Sequence, residues 1–249
     1  MLVAGAAIAL WISAATERYV GLFPPRYVGP LCDAPSSRVA LVLSGGGPRG
    51  FAHVGVIRAL EEAGIRPDLI IGSSAGAPVG ALYASGRNAD ELIAMAAKVD
   101  FTQLFDFVWY LGRVRGQALQ EFVNASVHGK RIEQLPMRFA AVATRLSDRT
   151  AVIFDAGDTG AAVRASASTQ ANWIGSFSPL RVEGVVYADG DISSPLPTLA
   201  ARKLGALFVI ANVTSDASDQ AAVATVGVLA AWRPVALSRS CQSGSPSHR

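Results

Sequence analysis

The chain has 249 residues, 51% of them apolar and 16% charged, with a net charge of +3 at neutral pH. That balance excludes a disordered chain, and the small positive charge forms no basic stripe interleaved with aromatics, so nucleic acid is not an expected partner. It leaves room for attraction to an anionic lipid surface, and the length suits one large domain with a substantial core.

Residues 1–15 are almost wholly apolar. They fall short of the ~20 residues that a bilayer core asks of a helix, so they read as a signal-peptide h-region or an anchor. Ser13-Ala14-Ala15 offers a small-x-small cleavage site, although no Lys or Arg precedes the run. The alternative is a hydrophobic helix packed on the domain. The first reading predicts the cell envelope, membrane-associated or exported; the second, the cytoplasm. Residues 16–37, rich in Pro, Gly, Arg and aromatics, read as a linker. Cys32 and Cys241 lie near opposite ends with no spacing suited to zinc or a redox pair, and no disulfide is expected.

The domain is expected over residues 38–213. Residues 39–44 form a short continuous apolar run, as in a strand buried on both faces of a parallel sheet. A glycine cluster follows, Gly45-Gly46-Gly47-Pro48-Arg49-Gly50, and then a helix over 51–63. Strand, glycine loop and helix N-terminus in that order aim backbone N–H groups at one place, where a negative charge is welcome. A second strand is predicted over 68–72 and a small-residue helix over 77–85. Asn88 is placed to cap a helix over 89–98.

Residues 101–110 put Phe101, Leu104, Phe105, Val108 and Trp109 on one helical face, which suits a core helix, an acyl-pocket wall or a membrane-contacting cap. A helix over 117–127, a hairpin of 137–144 with 150–154, and a short helix within 157–168 follow. One strand over 182–188 ends on Asp189-Gly190-Asp191, and a loop stiffened by Pro195 and Pro197 leads to a last strand over 207–213. Residues 214–249 read as an extension, disordered in part, with 239–249 as its tail. Strands alternating with helices predict a layered α/β fold.

Gly72-Ser73-Ser74-Ala75-Gly76 fits G-x-S-x-G between a predicted strand and a predicted helix, the setting in which a serine sits on a tight turn with its oxygen exposed. Ser74 then needs a base. His53 precedes it, His128 ends a polar helix and His248 lies in the tail, so the usual Ser-Asp-His order is not met. Asp189, closing an apolar strand, can serve instead at the carboxyl rim of the sheet, where partial burial would raise its pKa above the reference ~3.9. Asp191 competes for that role or braces the Ser193-Ser194 loop. The glycines also match G-x-G-x-x-G, but the second strand ends on the serine motif and not on a ribose-binding acid, which leaves the dinucleotide reading without its second element. An oxyanion hole uses the same physics with no cofactor.

Together the glycine cluster, the Gly72-Ser73-Ser74-Ala75-Gly76 turn and Asp189-Gly190 resemble the three ordered signatures of the patatin-like phospholipase family. The likeness covers most of residues 38–197, with Phe51-Ala52-His53 and Ala165-Ser166 included. It implies a three-layer α/β/α fold with a mostly parallel central sheet and a serine lipid acyl hydrolase of phospholipase A or carboxylesterase type. In that enzyme Ser74 and Asp189 act as a catalytic dyad without metal or cofactor, and the substrate is a phospholipid or other acyl-ester lipid at a membrane surface. Gly45, Gly46, Gly47, Arg49 and Gly50 would form the oxyanion hole. Arg49 could equally pair with a carboxylate or a lipid phosphate. Three departures stand out: Asp191 where the family commonly has Gly or Ala, Gln170 where a proline is usual, and an unfamiliar stretch after Val213. They motivate the alternative of a catalytically weak, membrane-associated lipid-binding or regulatory protein.

Overall fold

The structure, a computed structural model, describes residues 39–100, 104, 106–108, 113–169, 176–214 and 228–229. The apolar N-terminal run, the linker, both cysteines, Gln170, Trp109 and the 239–249 tail lie outside the described residues.

In chain order the elements are β1 (Val39–Leu43), a 3-10 turn (Gly47–Phe51), α1 (Ala52–Glu62), β2 (Leu69–Ser73), α2 (Gly76–Ala84), α3 (Ala89–Lys98), β3 (Phe107–Val108), β4 (Arg113–Val114) and α4 (Gln117–Ser126). There follow β5 (Arg138–Arg145), β6 (Thr150–Phe154), α5 (Thr159–Ser166), β7 (Ser176–Phe177), β8 (Leu180–Val182), β9 (Val185–Ala188), α6 (Thr198–Lys203), β10 (Phe208–Asn212) and β11 (Val228–Leu229).

The main sheet runs β11-β10-β1-β2-β5-β9-β8, with β6 also on β5. It is mixed. Its centre, β10, β1, β2 and β5, is parallel, whereas β11, β6, β9 and β8 join antiparallel, so the expected parallel order is confined to four strands. Period-two alternation sorts the central side chains into two cores. Leu41, Leu43, Ile70, Phe139 and Ala141 face the side covered by α1 to α5, and Ala40, Val42, Leu69, Ile71, Ala140 and Val142 face Ala200, Ala201 and Leu204 at α6. Two apolar faces need two covering layers, and the result is α/β/α.

Register explains how the chain brings distant residues together. β5 pairs with β2 over Arg138 to Val142 and with β6 over Ala141 to Arg145. Because β6 occupies one edge of β5 at Thr144 and Arg145, the partners of those residues in β9, Ala188 and Tyr187, must lie on the other edge, the one β2 has just vacated. β9 runs antiparallel to β5, so the ends of β2 and β9 meet head to head. Asp189 therefore approaches the serine turn from the opposite direction and does not stand beside it on a common carboxyl rim, as the single strand expected over 182–188 would have it.

That strand is in fact a hairpin. Leu180–Val182 and Val185–Ala188 pair across Glu183 and Gly184, at φ 48° and 80°, the paired positive values that a tight two-residue turn demands. The helix expected over 101–110 also gives way where it is described. Phe107–Val108 is a strand in a small second sheet with β4 and β7, and Asp106 accepts from the N–H groups of Gly116 (2.6 Å) and Gln117 (3.0 Å) at the start of α4. The helix Thr198–Lys203 falls in the stretch that the sequence marks as a proline-stiffened loop, its six residues being too few for a clear period. α3 begins on a reciprocal cap, Asn88 Oδ1 taking the Glu91 N–H and Glu91 Oε2 the Asn88 N–H, both at 2.9 Å. Among the described residues no helix is long and apolar enough to cross a membrane.

Candidate active site

The turn after β2 is strained where the sequence pattern expects it to be. Ser74 has φ 47°, in the left-handed region that a non-glycine residue enters at a cost. Its neighbours are glycines for steric reasons: a Cβ at Gly72 would strike the backbone of Ala77, and one at Gly76 the carbonyl of Leu43. The Ser74 N–H donates to Ser166 Oγ at 2.9 Å, and Ser166 Oγ donates in turn to the Val142 carbonyl at 2.6 Å, so the serine of α5 ties the turn to β5.

Ser74 Oγ donates to Asp189 Oδ2 at 2.9 Å. The aspartate is held on every side. Its Oδ1 accepts from the Asp191 N–H at 2.9 Å and its Oδ2 also from Thr169 Oγ1 at 3.3 Å, while its N–H donates to Ser168 O at 2.6 Å and its carbonyl accepts from Thr144 Oγ1 at 2.7 Å. The side chain is buried, and that burial raises its pKa against the lowering effect of the hydrogen bonds from Asp191, Ser74 and Thr169. A carboxylate so placed is a stronger proton acceptor than one in water. Gly190 has no room for a side chain either, because a Cβ would strike the Val142 carbonyl and Ser73 Oγ.

The glycine loop packs on the same turn. Gly50 lies against Ala75, where a Cβ would collide with that of Ala75. The N–H of Gly45 donates to Pro195 O at 3.2 Å and that of Arg49 to Gly46 O at 3.2 Å, so two of the five residues expected to form an oxyanion hole have their backbone donors engaged elsewhere. Gly47 opens the 3-10 turn, and the N–H at such a position has no acceptor within it. A Cβ there would meet nothing within 4 Å, and the Arg49 side chain is exposed.

Three residues brace this loop that the motifs alone did not mark. Thr214, just past β10, donates its N–H to Ser44 Oγ at 2.9 Å and its hydroxyl to Gly45 O at 2.5 Å. His53, fully buried, sits 2.8 Å from Ser44 O through Nε2 and 2.8 Å from Asn212 Nδ2 through Nδ1. Burial lowers the His53 pKa, which keeps the ring neutral. It is a strut and not a base, in line with the exclusion of a Ser-Asp-His order. Among the described residues no group of three or more His, Cys, Asp or Glu is placed to hold a metal ion.

A serine on a strained strand-to-helix turn, with a buried carboxyl against its oxygen and a glycine loop beside it, defines an α/β protein with the layout of a serine acyl hydrolase. The chain belongs to the patatin-like phospholipase family, whose model matches residues 41–202. It is 38% identical over 202 residues to an NTE family protein of Mycobacterium tuberculosis (strain ATCC 25618 / H37Rv), covering 79% of this chain and 55% of that protein. It is 33% identical over 204 residues to patatin-like phospholipase domain-containing protein 6 of Mus musculus, covering 78% of this chain and 15% of that one. The lysophospholipase NTE1 of Scheffersomyces stipitis is 31% identical over 189 residues, with 73% of this chain and 12% of that one covered. The chain thus spans about half the length of the mycobacterial relative and a small part of the others. Among solved structures, VipD from Legionella pneumophila shares the fold at a TM-score of 0.51 and 18% identity, over 64% of this chain and 46% of that one.

Proposed function

We propose that the chain is a serine lipid acyl hydrolase that cleaves the carboxylic ester of a phospholipid or similar lipid through Ser74 and Asp189. The reading rests on one observation, the 2.9 Å hydrogen bond from Ser74 Oγ to the buried Asp189 Oδ2. Ser74 Oγ attacks the ester carbonyl while its proton passes to Asp189, and the collapsing tetrahedral intermediate expels the alcohol, which takes the proton back. Water repeats the sequence on the acyl-enzyme and regenerates the serine. The N–H groups of Gly46 and Gly47 stabilise the oxyanion, since those of Gly45 and Arg49 are engaged; each such donor contributes about 3 kcal/mol to the transition state.

Covalent labelling by a fluorophosphonate tests the chemistry. The wild-type chain is expected to carry one adduct, on Ser74, and to hydrolyse a lysophospholipid, with both properties lost in Ser74→Ala and turnover lost in Asp189→Asn. An unlabelled Ser74 in folded protein, or unchanged turnover in Ser74→Ala, overturns the reading. We also propose a location at a membrane surface of the cell envelope, with the cytoplasm as the alternative; the apolar character of residues 1–15 supports it. Fractionation that left it wholly cytosolic would overturn the location without touching the chemistry.

A further inference from the structure

The site contains a second carboxyl that the proposed chemistry leaves idle. Asp191 accepts from Ser73 Oγ at 3.1 Å through Oδ1, and its carboxyl lies on Gly45, in the space that a side chain there would need. It therefore touches both halves of the candidate site, the residue before the proposed nucleophile and the first residue of the glycine loop. Its own N–H meanwhile donates to Asp189 at 2.9 Å.

The surroundings decide which carboxyl carries the charge. Just past β9 Asp191 faces Asp189; from β2, the hydroxyl of Ser73; from the glycine loop, the backbone of Gly45, with Arg49 the loop's one charged side chain, exposed four residues on. Behind that loop α1 presents His53, kept neutral by burial, and the segment after β10 presents Thr214. Among the described residues the Asp189 carboxyl receives three hydrogen bonds, from Ser74, Thr169 and the Asp191 N–H, whereas that of Asp191 receives one, from Ser73. Two adjacent carboxyls do not both ionise readily, and the one with more donors takes the charge. Burial first, and then the Asp189 charge, push Asp191 up to about 7.

We infer that Asp191 is a proton-carrying positioning residue: as the neutral acid it joins the nucleophile turn at Ser73 to the glycine loop at Gly45, and as the carboxylate it sets a negative charge beside that loop which opposes the oxyanion. The inference rests on the reading of Ser74 as nucleophile and of the loop as oxyanion hole. It makes the hydrolase one that works below and around neutrality and is switched down by alkali at this single group.

The experiment follows the rate of Ser74 labelling by a fluorophosphonate from pH 5 to 9, with the melting temperature at each pH, in the wild-type chain, Asp191→Asn and Ser73→Ala. The wild-type rate is expected to fall at least tenfold between pH 7 and 9. Asp191→Asn, which keeps the acceptor for Ser73 and cannot ionise, is expected to lose that fall, and Ser73→Ala, which removes the one donor to the carboxyl, to move it to higher pH. The same fall in Asp191→Asn, or none in the wild type, overturns the inference.

If the wild type is not labelled at any pH, the reading of Ser74 fails, and the melting temperatures still decide for Asp191. The folded chain keeps a proton on Asp191 that the unfolded chain releases near 3.8, so the wild type loses stability relative to Asp191→Asn as pH rises from about 4 to about 7. A gap between the two that widens by ~5 °C over that range supports the assignment, and a constant gap overturns it.

Discussion

His53 Nε2 donates to the carbonyl of Ser44 across 2.8 Å, joining α1 to the last residue before the glycine loop. The tautomer follows from the partners: Ser44 O can only accept, and Asn212 Nδ2, 2.8 Å from Nδ1, donates. The neutral ring is thus fully used, and the loop is held from behind by a group that never needs to meet substrate.

His53→Ala removes the bonds of His53 to Ser44 O and Asn212 Nδ2 and opens a cavity. The expected loss is about 2 kcal/mol or more, read as a melting temperature lower by ~4–8 °C. The pH dependence has a definite sign. Burial holds the folded pKa below the unfolded 6.5, so the unfolded chain binds the extra proton, and stability falls as pH drops from 6.5 through the lower folded value. His53→Gln, which cannot take up a proton, is expected to lose that dependence in thermal melts between pH 4 and 7.

Ser74 sits at φ 47°, where a Cβ is costly and glycine is not. Ser74→Ala and Ser74→Gly both delete the hydroxyl and its bond to Asp189, so the difference between them isolates the backbone. Ser74→Gly is expected to be the more stable of the two by about 1 kcal/mol in urea melts, and both to be inactive. Equal stability would show that the turn stores no strain at this residue.

Much of this was legible because motifs with local steric causes leave local signatures. The Gly72 position is fixed by contact with Ala77, five residues on, and the Asn88 cap by a residue three positions on. What brings Ser74 to Asp189 is not local. It depends on β9 taking over the edge of β5 where β2 stops, and the residues of β9 read the same whichever way the strand runs. Thr214 and Asn212 were missed for a related reason. They lie more than 150 residues from Ser44 and His53, and only the parallel pairing of β10 with β1 makes them neighbours of the loop. Val108 fits a helical period in sequence, yet its pairing with Arg113, and that of Phe107 with Val114, puts both in a strand.

Glycine substitutions separate the two uses of that residue. Gly76→Ala drives a methyl into the Leu43 carbonyl at the heart of the sheet, where backbone cannot give way, and is expected to cost about 3 kcal/mol or more, with loss of soluble folded protein. Gly55→Ala, on the exposed face of α1 with nothing within 4 Å of the new methyl, is expected to raise stability by about 0.5–1 kcal/mol through helix propensity alone. The soluble yield of Gly76→Ala and circular-dichroism melts of Gly55→Ala against the wild type check the two signs.

Ser166 offers the sharpest test of how the turn at Ser74 is held. Its hydroxyl accepts the Ser74 N–H and donates to the Val142 carbonyl, and all three groups are buried. Ser166→Ala therefore strands one donor and one acceptor, each at about 1–3 kcal/mol, without creating a large cavity or touching the Ser74 side chain. The melting temperature is expected to drop by several degrees. The more telling quantity is the split between kcat and KM for a soluble ester. With its N–H untied, the turn no longer fixes Ser74 Oγ at 2.9 Å from Asp189. A misplacement of that kind slows the chemical step by ~10–100-fold and leaves ground-state binding much as it was. Ser166→Thr, which restores donor and acceptor, is expected to recover part of kcat if α5 admits the added methyl. A loss confined to KM would show that Ser166 shapes the substrate pocket and not the turn.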